Sequence, residues 1–150
     1  MSRGSIRASF TPGATGARWS SSLVACSAAA VHDLTDELPL AVQVAVPTRQ
    51  RPPQIAFPPT VTFRFDAANF ELGLSSVEAA AGERVRIYGA PRTVVDLMRL
   101  RHRLGEPLAY GALRRYLRRP DAQPAQLMAL ARTLDVYGPV QVALDVASAR

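Results

Sequence analysis

PRTVVDLMRLRHRLGEPLAYGALRRYLRR, residues 91–119, moves the chain from strand to helix periodicity. Its apolar residues recur three and four positions apart, which gathers them on one side of a helix. Pro91 suits the first turn of a helix running to residue 104, and Gly105 suits its stop. A second helix is expected over 107–119, closed by Pro120. Farther on, Leu127, Leu130, Ala131 and Leu134 mark a third helix over 124–134. Val140, Ala143, Leu144 and Ala147 mark a fourth after Gly138 and Pro139.

Upstream the period falls to two. Val42, Val44 and Val46 alternate in one strand, and Val61, Phe63 and Phe65 alternate in another. The proline-rich stretch 47–59 joins them. Residues 75–80 and 84–88 flank Ala81-Gly82-Glu83 and read as a hairpin, with Val85 and Ile87 inward and Arg84 and Arg86 outward. Before these strands a helix is expected over 21–34, with serines able to cap it and Pro39 ending the unit. The predicted class is α+β: one N-terminal helix, a small mostly antiparallel sheet of about four strands, and a C-terminal array of about four helices. Residues 1–20 hold three arginines, no acid and little apolar area, so a disordered basic tail is expected there, with the folded domain over 21–148.

The 150-residue chain has a formal charge of +6 and 48% apolar residues, enough for one domain with a real core. All 18 cations are arginine. With no lysine, a phosphate-binding P-loop or a Schiff-base enzyme lacks an essential group. The single cysteine, Cys26, excludes an internal disulfide, and two histidines 70 residues apart argue against a structural zinc site. No apolar run reaches the ~18 residues of a membrane span. Leu23-Val24-Ala25-Cys26 has the look of a lipoprotein cleavage box, but Trp19-Ser20-Ser21-Ser22 stands where an apolar signal segment belongs. A cytoplasmic protein is expected, with no cofactor and no membrane partner.

From Arg99 to Arg119 there are seven arginines and one acid, Glu106. On the second helix of this block Ala109, Leu113, Tyr116 and Leu117 form the apolar stripe, and Arg114, Arg115 and Arg118 fall on the far side. These three fit either a solvated helix face with cations near its C-terminus or a surface for phosphate or an acidic partner. On the first helix Val94, Leu97, Met98 and Leu104 draw the apolar arc, and Arg101 falls within it. Arg92, Arg99 and Arg103 lie opposite, where Asp96 can pair with them. An arginine on a buried face snorkels or needs a bonded partner, so Asp96 and Arg101 are the candidates for a structural or functional tether. Arg99 and Arg103 join the α-helical arginines as candidate partner or nucleic-acid contacts.

His32, Asp33, Asp36 and Glu37 form the one polar cluster with the look of a site. A lone histidine near a helix end is more often a cap than a ligand, and the cluster specifies neither a metal nor a nucleophile. No catalytic residue is assigned, and a non-enzyme is expected.

Three passages carry a family resemblance: SLVACSAAAVHDLTDELP (22–39), VQVAVP (42–47) with its Arg- and Pro-rich continuation, and RIYGAPRTVVDLMRLRHRLG (86–105) continuing to ALRRYL (112–117). Together they resemble the C-terminal domain of AbiEi-type antitoxins, the antitoxin half of the AbiE (type IV) toxin–antitoxin systems. The likeness covers about 22–147, and Asp96 and Arg101 fall on its matched positions. It implies counteraction of a cognate nucleotidyltransferase toxin without a required stable complex, and contacts between antitoxin copies. Family members usually begin with a winged helix-turn-helix. About twenty tail-like residues stand in its place here, so promoter binding is not carried over. A nucleic-acid-binding transcriptional-regulator module and an inactive truncated paralogue are the other readings.

Overall fold

In the computed structural model, residues 21–52 and 54–149 are described; the tail expected over 1–20 lies outside them. The α+β class holds. The elements run β1 (Ser22–Leu23), α1 (Ala25–Val31), β2 (Val42–Pro47), β3 (Thr60–Phe65), β4 (Leu74–Ala80), β5 (Glu83–Tyr88), α2 (Ala90–Arg99), α3 (Arg101–Leu104), α4 (Glu106–Leu117), α5 (Pro124–Thr133) and α6 (Tyr137–Ser148).

The sheet differs from the expectation of four mostly antiparallel strands. It has five, in the order β3-β2-β1-β5-β4. Two pairings are antiparallel, β1 with β2 and β4 with β5; two are parallel, β1 with β5 and β2 with β3. Strand β1 is two residues long, too short to show a period. The proline-rich connection between β2 and β3 is long enough for the parallel crossover that joins them. That connection passes over the sheet face carrying Arg64, whose Nη1 donates to the Thr48 and Gln50 carbonyls at 2.9 and 3.2 Å.

In β5 Ile87 is buried and Arg84 exposed as expected, but Arg86 is half-buried and the sheet face that carries Ile87 is not the one the helices cover. Ala45, Phe63, Phe65 and Tyr88 belong to the core shared with the helices. Arg86 lies on the Tyr88 side, two residues away, and stacks on Phe70. Ile87 therefore points to the opposite face, together with Val44 and Val46, and all three are buried. A period of two separates two faces but does not say which one the helices cover.

The N-terminal helix is shorter than expected because β1 takes its first residues. Its amino end is satisfied by another strand, not by serines: the Cys26 amide donates to Gln43 Oε1 (2.8 Å), and the Gln43 amide donates to Ser27 Oγ (2.9 Å). At its carboxyl end Asp33 is left-handed (φ 59°), and the Leu34 amide reaches back to the Ala29 carbonyl at 2.9 Å while the Leu34 side chain is buried. This is the Schellman arrangement. Asp135 (φ 60°) repeats it after α5, with Val136 bonded to Ala131.

The helix expected over 91–104 is broken at Leu100 (φ −98°, ψ 12°) into α2 and α3. Carbonyls near a helix end lack an intrahelical donor, and the Arg101 guanidinium takes the Met98 carbonyl at 2.8 Å. Helix α2 packs against α1, α4, α5 and α6 and covers the aromatic face of the sheet, so nearly its whole surface is buried.

Left-handed backbone costs a residue with a Cβ roughly 1–2 kcal/mol. Asp135→Gly is therefore expected to raise the stability of the domain by about 1 kcal/mol, read as an upward shift of the urea midpoint.

Candidate functional site

The structure sorts the arginines into buried, paired and exposed groups. The buried group centres on Asp96, which is 0% exposed. Arg92, one turn earlier and 1% exposed, donates Nε–H to both Asp96 oxygens at 3.1 Å. Its Nη1 continues to the Asn69 and Leu72 carbonyls at 2.8 and 2.6 Å. The guanidinium lies 4.3 Å from the Tyr88 ring centroid. Arg99 completes the cluster through Nη2 to Asp96 Oδ1 (2.7 Å), stacked 4.8 Å from Phe65. Gly73 is required beside it: its φ is +75°, and a Cβ there would stand 2.8 Å from Arg92 Cβ. Burial pushes the Asp96 carboxyl above the usual carboxylate range, and the charges of Arg92 and Arg99 pull against that push. The cluster joins α2 to the 69–72 turn and to the aromatic face of the sheet.

Asp96 is thus the tether, but its main partner is Arg92, which the helical wheel places on the solvent side. Arg101 is corrected: it is half-buried, bonds the Met98 carbonyl of the preceding helix, and does not join helices to sheet. The i,i+4 spacing of Arg92 and Asp96 was visible in the sequence. What hid their burial is that the far side of α2 faces aromatic rings instead of water.

On α4 the expected apolar stripe is in place, with Ala109, Leu113 and Tyr116 buried and Leu117 half-buried. The trio of arginines opposite it divides. Arg115 pairs with Asp36 across a groove of about 350 Å³, whose walls include Leu34, Glu37 and Leu108 and whose floor includes Gly111. Arg114 and Arg118 are exposed, with no carboxylate in ion-pair distance among the described residues. Arg118 follows Gly111 by seven positions and so stands on the groove side of the helix. Arg119 bonds Asp121 at 2.8 Å and approaches the His32 carbonyl at 3.4 Å. Arg103 is exposed as well, lying 4.6 Å over the Phe63 ring.

The polar cluster of residues 32–37 does not converge. His32 Nε2–H donates to the Tyr88 carbonyl at 2.7 Å, so the neutral ring carries its proton on Nε2. Asp33 serves the helix end, while Asp36 and Glu37 line the groove. Among the described residues no three His, Cys, Asp or Glu side chains gather as metal ligands, and no helix is long and apolar enough to cross a membrane.

Asp96→Ala leaves Arg92 buried without its anion and is expected to cost about 3–5 kcal/mol; Arg101→Ala is expected to cost about 1 kcal/mol, both from urea denaturation. Burial lowers the His32 pKa, against the Tyr88 bond. The unfolded chain therefore takes up a proton below about pH 6.5 that the folded chain refuses, so stability present at pH 7 falls as pH drops through that range. Between about pH 7 and 5.5, the urea midpoint should decline in the wild type and stay flatter in His32→Gln.

In comparisons with known proteins, the chain matches no protein-family model and no curated protein.

Proposed function

We propose that this domain is an antitoxin-type regulatory protein that counteracts a cognate nucleotidyltransferase toxin by contact and not by catalysis. The observation that carries the reading is the state of α4. Arg115 and Arg119 of this region are held by Asp36 and Asp121. Arg114, in the last turn of α4, and Arg118, its C-cap one turn on, are exposed with no carboxylate in ion-pair distance among the described residues. Two adjacent guanidiniums left to solvent favour contact with an acidic surface, where each can form a bidentate pair. Such a surface speeds encounter more than it lengthens residence, which suits an antitoxin that forms no lasting complex. The likeness of residues 22–147 to the AbiEi-type C-terminal domain supplies the class of partner.

The test is growth of cells expressing a neighbouring-gene nucleotidyltransferase with or without this chain. Wild type should restore growth, and Arg114→Ala/Arg118→Ala should lose most of that protection with an unchanged thermal midpoint. Arrest despite folded wild-type protein, or full protection by the double variant, contradicts the reading. Arg115 is kept out of the test because its loss also frees Asp36.

A further inference from the structure

The edge of the sheet at β3 holds a second set of arginines, separate from α4. Residues 40–65, which form β2, the crossover and β3, contain Arg49, Arg51 and Arg64 and not one acid. All three arginines are exposed, and none has a carboxylate in ion-pair distance among the described residues. Arg64 is fixed on one side of the edge strand by the Thr48 and Gln50 carbonyls. On the other side the Arg103 guanidinium of α3 lies over Phe63 of the same strand, 4.6 Å from its centroid. A guanidinium that rests on a ring and stays exposed keeps N–H donors free for a phosphate oxygen pair. In the connection, three residues before the strand begins, Phe57 is 83% exposed, an aromatic ring presented to solvent.

Cations along both sides of an edge strand and an exposed ring just before it form the two parts of a single-strand nucleic-acid site: an electrostatic track for the backbone and a platform for a base. We propose that the β3 edge binds single-stranded nucleic acid, with Arg64 and Arg103 contacting phosphates, Arg49 and Arg51 adding to the field, and Phe57 stacking a base. The strand itself spans roughly 20 Å, so the site covers a few nucleotides. An acidic protein would use the arginines but gain little from Phe57, and a duplex would keep its bases stacked away from the ring. This site does not depend on the α4 reading.

The experiment is fluorescence anisotropy of a labelled oligothymidylate of about 12 nucleotides, on the whole chain, from about 50 to about 200 mM salt. Binding should weaken steeply with salt, and Phe57→Ala should weaken it about fivefold or more. Arg64→Gln/Arg103→Gln should flatten the log–log salt slope by about 0.7 for each phosphate contact removed. Arg114→Ala/Arg118→Ala should bind as wild type, which separates this site from the one on α4. No binding at low salt overturns the proposal. So does wild-type binding by both the Phe57 and the Arg64/Arg103 variants, preference for a duplex of the same length, or equal affinity for polyglutamate.

Discussion

A carboxylate buried between two guanidiniums holds this molecule together. Asp96 has no exposed surface, Arg92 almost none, and between them they bond the 69–72 turn, the aromatic face of the sheet and helix α2. An ion pair so placed contributes little net energy compared with apolar packing, because both charges leave water. Its effect is on specificity. Arg92 must reach two carbonyls and a ring at once, and Gly73 must lack a side chain to let it pass.

That arrangement also decides which arginines remain for other work. Arg92 and Arg99 are spent on Asp96, Arg101 on a helix end, Arg115 and Arg119 on nearby acids. Among the described residues, guanidiniums without a carboxylate partner remain at Arg114 and Arg118, along the β3 edge, and singly at Arg84, bonded to Ser76, and Arg132, over the Tyr137 ring. The α4 pair supports the proposed antitoxin-type contact. The β3 edge adds an exposed aromatic ring and supports a different ligand.

The helices from α4 to α6 were legible because each buries one stripe and starts or stops at a proline or glycine. The interruption at Leu100 was not, since the apolar residues on either side keep their spacing while the backbone turns. Strand β1 was hidden by its two-residue length, and the parallel pairings by the fact that strand order leaves no local trace. Among the site residues, Asp96 stood out as the one acid able to serve several arginines, and Arg114 and Arg118 lie on the face the helical wheel gives them. Arg92 and Arg101 exchanged roles: both sides of α2 are buried, so the apolar arc no longer distinguishes inside from outside. Asp36 is seventy-nine residues from Arg115, and no local spacing connects them.

The central claim is that Arg92 and Asp96 act as one unit in holding α2 to the sheet. A double-mutant cycle with Arg92→Met, Asp96→Leu and the combined variant, followed by urea denaturation, tests it directly. Asp96→Leu strands the buried Arg92 charge and Arg92→Met leaves Asp96 with Arg99 alone, whereas the combined change removes both, so the double variant should be more stable than the sum of the singles by about 1.5–3 kcal/mol. Additive losses, with a coupling near zero, would contradict the account.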